Sequence, residues 1–139
     1  MAAAKAEGKP VLIDFTGFGC VNCRKMEAAV WTDPSVAQKL ENDYILISLY
    51  VDDKTKLPQP VEVKDENGEI RTLRTVGDRW SYLQSYKFGA NTQPFYVAVD
   101  SQGSPLNGAY SYDENVKDYL NFLDKGLENY KKRMNNAAN

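Results

Sequence analysis

The chain has 139 residues, 42% of them hydrophobic, and a formal net charge of −2, which is enough for one globular domain with its own core and no disulfide scaffolding. The charge balance leaves no basic field for nucleic acid, and the one basic cluster, Lys131-Lys132-Arg133, ends a helical pattern where cations offset the helix dipole. No apolar run approaches the roughly 18 residues of a membrane-spanning helix, and with no histidine and two cysteines a zinc site of four cysteines, or of two cysteines and two histidines, is excluded by count.

Met1 to Lys9 is alanine-rich and lacks the apolar centre of an export signal. Ala2 to Gly8 suits a short opening helix that Gly8 stops and Pro10 keeps from continuing. Val11 to Phe15 is apolar apart from Asp14, the pattern of a central strand covered on both faces. A carboxylate in such a strand is costly, so Asp14 is expected to titrate high. The other reading is an aspartate at a strand edge that reaches solvent.

Both cysteines follow in Gly19-Cys20-Val21-Asn22-Cys23-Arg24, where the strand gives way to a helical pattern. On one helical turn two sulfurs spaced this way come within bonding distance, so a disulfide opens and closes with little backbone motion. The helix N-terminus offers Cys20 unpaired N–H groups and a partial positive charge that lower its pKa, while Cys23, one turn further in, is expected to face the core. Cys20 is therefore expected to attack and Cys23 to resolve. A static bridge is the plainer alternative, but closing so short a loop restricts the unfolded chain little; an intermolecular metal site is the other.

Cys23, Met26 and Ala29 or Val30 mark the buried face of the first helix. Asp33 and Pro34 suit the N-cap and first residue of a second helix, with Val36 and Leu40 inward and Asn42-Asp43 at its end. Tyr44 to Val51 predicts a second central strand, parallel to the first through a right-handed crossover. From Asp52 to Gly77, alternation at Val61 to Lys64 and Ile70 to Leu73 around Glu66-Asn67-Gly68-Glu69 predicts a hairpin with a two-residue turn. The pair Asp52 and Asp53 reads as a solvated strand end rather than a cation site. Asp78 is expected to cap a short helix with Trp80 and Leu83 on one side. Pro94, which cannot donate to a ladder, opens the apolar strand Phe95 to Val99. After the turn Asp100 to Pro105, a strand from Leu106 to Tyr110, interrupted by Gly108, is expected antiparallel to it. Tyr112 to Met134 predicts a closing helix with Val116, Leu120, Leu123, Leu127 and Tyr130 inward, and residues 135–139 a flexible tail.

Val11-Leu12-Ile13-Asp14-Phe15 followed by C-x-x-C resembles a thioredoxin fold. The longer stretch from Lys9-Pro10 through Cys20-Val21-Asn22-Cys23-Arg24-Lys25-Met26-Glu27 to Trp31-Thr32-Asp33-Pro34-Ser35-Val36 resembles the C-terminal periplasmic domain of DsbD-type transmembrane thiol:disulfide interchange proteins. The resemblance runs from about Lys9 to Leu127, apart from an insert at about 54–77, and has one departure: the family usually carries Trp where this chain has Gly19. It implies a single α/β thioredoxin-like domain over residues 1–139, a mixed central sheet flanked by helices, to which the alternation at 61–73 adds a β-hairpin insert. It implies that Pro94 is cis beside the dithiol, that the backbone at Gln93 pairs with an extended substrate, and that Asp14 moves the proton of Cys23. Gly19, Val21 and Asn22 would border the substrate, with no cofactor and no metal.

The function so implied is thiol:disulfide oxidoreduction, as a reductase and electron relay. A monomeric periplasmic domain, cut from an exported or membrane-anchored parent, would take electrons from a membrane-embedded donor domain and pass them to exported protein disulfides. A disulfide oxidase or isomerase would use the same residues. A non-catalytic thioredoxin-like protein-binding domain would keep the groove beside Pro94 without needing Cys20.

Overall fold

Every residue from Val11 to Thr16 is buried, as a strand covered on both faces requires. The computed structural model describes residues 7–65 and 67–138, so Ala2 to Ala6 of the expected opening helix, Glu66 and Asn139 lie outside the described residues. The elements are β1 (Val11–Thr16), α1 (Val21–Ala29), α2 (Pro34–Asn42), β2 (Ile45–Tyr50), β3 (Lys56–Lys64), β4 (Ile70–Thr75), α3 (Val76–Phe88), β5 (Phe95–Val99) and α4 (Val116–Ala138). Among the described residues β1 is the middle of a three-stranded sheet, parallel to β2 and antiparallel to β5, while β3 and β4 form a separate antiparallel pair.

Strand alternation assigns the two faces. Leu12, Tyr96 and Ala98 pack with Met26, Val30, Val36 and Leu40 from the α1–α2 segment and with Tyr119 and Leu123 of α4. Val11, Ile13, Phe15, Phe95, Val97 and Val99 form the opposite core, which Leu83 and Phe88 of α3 cover. Asp14 and Thr16 share the parity of Leu12 and so lie on the α1 side of the sheet. The α/β thioredoxin-like architecture expected from the sequence, with helices on both faces and a hairpin insert, is the one observed.

Several local expectations change. β2 pairs only with β1 among the described residues, so it is an edge rather than a central strand, and its outward Leu46 is exposed. The hairpin is longer than the alternation suggested and its turn is wider: the Asp65 N–H bonds to the Glu69 carbonyl, and the Asp65 carboxylate accepts from the Asn67 and Glu69 N–H groups. Thr75, not Asp78, is the N-cap of α3; Asp78 is the third helical residue and completes the capping box by accepting from the Thr75 N–H.

The strand expected at Leu106 to Tyr110 is reduced to isolated antiparallel bridges, Val99 to Pro105 and Tyr96 to Tyr110. Side chains of α4 and its partners take over there: Asn129 donates to the Leu106 carbonyl, and Asn107 to the Phe122 carbonyl. α4 itself begins at Val116 and runs through Ala138, past the expected end at Met134. Its buried centre is Tyr119, Phe122, Leu123 and Tyr130, with Val116 and Leu120 only flanking it. The helix packs tightly on the sheet at Gly126, where an added Cβ would lie 3.0 Å from the Ala98 Cβ.

Candidate active site

The C-terminal ends of β1 and β2 and the start of β5 meet at one rim of the sheet: Thr16 is level with Tyr50, and Phe15 with Phe95. The Gly17-to-Cys20 turn, the Val51-to-Asp53 segment and Pro94 therefore gather there. The Gln93–Pro94 peptide is cis, as the resemblance implies.

Cys20 is the N-cap of α1, and its sulfur accepts the Cys23 N–H at 3.1 Å. The two cysteines form a disulfide with Cα atoms 5.3 Å apart, inside the usual range for such bridges. Cys20 is partly exposed, whereas Cys23 is 1% exposed. Gly19, Val21 and Asn22 are all exposed beside Cys20. Phe18, itself 62% exposed, stacks on Tyr50 with ring centroids 4.1 Å apart. With Val21 67% exposed, the approach to Cys20 is flanked by apolar surface that nothing within the described chain covers.

Asp14 is buried in the middle of β1 on the face that α1 covers. Burial lifts its pKa from 3.8 to about 7; the Ser48 hydroxyl, which donates to Asp14 Oδ2 at 3.2 Å, opposes the rise, Glu27 adds to it, and Arg24 opposes it again. The high titration expected from the sequence is thus present, and the strand-edge alternative is not the geometry found. Arg24 bridges the same neighbourhood, donating to Thr16 Oγ1 at 3.0 Å and pairing with Glu27 at 2.9 Å.

Two site residues escaped the sequence reading. Asp52 is not a free strand end: its carboxylate accepts from the Phe18 N–H at 2.8 Å and the Gly19 N–H at 3.0 Å, fixing the turn just before Cys20. Slight desolvation pushes the pKa of this exposed group up, but those two N–H groups, its own N–H and the Arg24 charge outweigh it and hold it below the usual carboxylate range. Gly17 makes room for this clasp, because a Cβ there would lie 3.2 Å from the Asp52 carboxylate oxygen. Asp53 instead closes the next turn by accepting from the Thr55 N–H. The second residue is Gln84, wholly buried on α3, which donates to the Thr92 carbonyl at 2.8 Å and accepts from the Gln93 side chain at 2.9 Å. A glutamine between Leu83 and Ser85 reads as a solvated position; only the fold turns it inward.

Residues 1–124 match the thioredoxin-like domain family. The chain belongs to that family. Thioredoxin-like domains with a disulfide between cysteines spaced as Cys20 and Cys23 are thiol:disulfide oxidoreductases, and that coarse description holds for this chain. Over 45 residues, 32% of this chain, it is 42% identical to the thiol:disulfide interchange protein DsbD of Salmonella paratyphi A and to that of Salmonella typhimurium. That match spans 8% of the length of those curated relatives. Among solved structures, the DsbH oxidoreductase superposes with a TM-score of 0.61 at 16% identity, covering 91% of this chain and 78% of the other. The reduced C-terminal domain of Neisseria meningitidis DsbD gives 0.58 at 16% identity, covering 90% and 88%. At these identities the superpositions establish the thioredoxin-like fold. Among the described residues no helix is long and apolar enough to cross a membrane.

Proposed function

We propose that this domain is a protein-disulfide reductase and electron relay of the periplasm. The observation that carries this reading is the unequal placement of the two sulfurs: Cys20 at the exposed helix N-terminus, Cys23 buried one turn behind it. In the reduced protein the Cys20 thiolate attacks a substrate disulfide, forming a mixed disulfide and releasing one substrate thiolate, which takes a proton. Cys23, deprotonated with Asp14 on the same side of the sheet as its acceptor, then attacks the Cys20 sulfur, re-forming the Cys20–Cys23 bridge and releasing the second substrate thiol. Two electrons pass from the domain to the substrate, and an external dithiol must return them. The exposed Phe18 and Val21 beside Cys20 favour a polypeptide substrate with its own apolar surface, in contact with Gly19, Val21 and Asn22 and extended alongside Gln93 and Pro94. The sequence match to DsbD supports a membrane-embedded donor domain and exported acceptors, with the domain acting as a monomer.

Equilibration with glutathione tests the direction. A reductase should poise near the roughly −270 mV of thioredoxin, whereas a value near the roughly −120 mV of a strong oxidase would reverse the assignment. In the reduced protein Cys20 should alkylate at least tenfold faster than Cys23 at pH 7, and Cys23→Ala should accumulate the mixed disulfide. A Cys20→Ala variant that binds a protein partner as well as the wild type, in a wild type that exchanges no disulfide with that partner, would leave only a binding role.

A further inference from the structure

Gln84 occupies a place where packing alone calls for an apolar side chain. It is wholly buried on α3, one residue from Leu83 and four from Phe88, both of which pack on the Phe15, Phe95 and Val97 core. Burying a carboxamide is costly unless its polar atoms find partners. Both partners of Gln84 lie in one short segment: its Nε2 donates to the Thr92 carbonyl, and its Oε1 accepts from the Gln93 Nε2. The last turn of α3 is tied to the same segment, with the Ala90 N–H reaching the Gln84 carbonyl at 3.5 Å. One amide thus holds the carbonyl of one residue and the side chain of the next, immediately before Pro94.

The arrangement leaves a particular group over. Among the described residues, no hydrogen bond uses the main-chain N–H or C=O of Gln93, although the carbonyl before it is taken by Gln84 and the residues after Pro94 enter the β5 ladder. Drawing the Gln93 side chain inward while leaving its main chain unpaired is the geometry needed to present one donor and one acceptor to an extended polypeptide.

We infer that Gln84 is a positioning residue for polypeptide substrates: it acts through Thr92 and Gln93 to present the Gln93 main chain to a disulfide-bearing segment, and it touches neither substrate nor sulfur itself. The inference rests on the reading of this domain as a protein-disulfide reductase. It separates two kinds of substrate. A disulfide that needs no backbone pairing should feel Gln84 little, and one carried on an extended chain should feel it strongly.

The test measures exchange of the reduced protein with insulin and with 5,5′-dithiobis(2-nitrobenzoic acid), for the wild type and for Gln84→Met, Gln93→Met and the double variant. Gln84→Met should lower kcat/KM on insulin about tenfold, mainly through KM, and that loss should exceed the loss on the small disulfide at least fivefold. The alkylation profile of Cys20 should not move. Because Gln84 acts partly through the Gln93 side chain, the double variant should lose less than the product of the single losses. Should Gln84→Met not fold, Gln84→Glu keeps the volume and the acceptor for Gln93 but cannot donate to Thr92 when ionised, and it should show the same KM bias increasing with pH. Equal losses on both substrates, a loss in kcat alone, or no loss in a folded variant would overturn the role given to Gln84. A wild-type chain that reacts with the small disulfide but never with insulin would instead refute the reductase reading on which it rests.

Discussion

Asp14→Asn separates a buried proton-handling carboxyl from a merely structural one. A carboxyl whose pKa rises from 3.8 to about 7 on folding is worse off ionised in the native state than in the unfolded chain. At about 1.36 kcal/mol per pH unit the full penalty is ~4 kcal/mol. The sign follows from proton counting. Between the two pKa values the native state holds a proton that the unfolded state has released, so stability falls as pH rises through that window and is level again above about pH 7. Asparagine carries no such dependence. Compared by urea denaturation as disulfide-bonded proteins, so that neither cysteine titrates, the variant should gain on the wild type by about 3 kcal/mol between pH 5 and pH 8.5. The difference of the two curves cancels every other titrating group. Exchange with a disulfide substrate should meanwhile slow at least tenfold near pH 7, because general acid–base help of this kind is worth roughly 10²–10⁴. A stability difference that stays flat with pH would refute the burial argument. A pH-dependent gain with undiminished exchange would leave Asp14 buried and protonated but idle in the chemistry.

Asp52→Asn should remove an anion from the turn before Cys20 and one of its two N–H acceptors, lowering the Cys20 thiol pKa so that alkylation at pH 7 accelerates at low salt. An unchanged alkylation profile would confine Asp52 to holding the loop. Leu73, in β4 and 3% exposed, should cost about 2–5 kcal/mol when changed to Ala, read from urea denaturation. A loss below about 1 kcal/mol would show that the hairpin is not integral to the core.

The dithiol junction was legible because its signals are local: an apolar run, a two-residue spacing and a helix start lie within a dozen positions, and Pro94 announces its strand by chemistry no other residue has. Asp52 and Gln84 were not legible, because each acts on a main chain that only the fold brings beside it. Asp52 sits 34 residues from Phe18 and looks like a solvated carboxylate until the parallel pairing of β1 and β2 brings their ends level. Gln84 looks like a surface glutamine until α3 turns it toward Thr92. The inward stripe of α4 was read correctly at Leu123 and Tyr130 but missed Tyr119, Phe122 and Gly126, the last of which carries no apolar side chain to signal its packing. The strand after β5 keeps its antiparallel sense only as isolated bridges, with the Leu106 carbonyl taken by the Asn129 side chain, a bond invisible to a reading of alternation.

The excursion between β2 and α3 leaves and re-enters the domain almost at one point, where the Gly77 N–H bonds to the Asp53 carbonyl at 2.9 Å and the Val76 N–H to the Thr55 carbonyl at 2.8 Å. These bonds work as a socket: whatever is plugged in above them, the two chain ends stay side by side and Asp52, one residue below, keeps its hold on Phe18 and Gly19. Closing a longer or shorter excursion across a fixed gap changes the free energy by only about 0.6 kcal/mol per doubling of length. A hairpin of another length, or an unrelated module, can therefore occupy this position while the turn that leads into Cys20 keeps its shape.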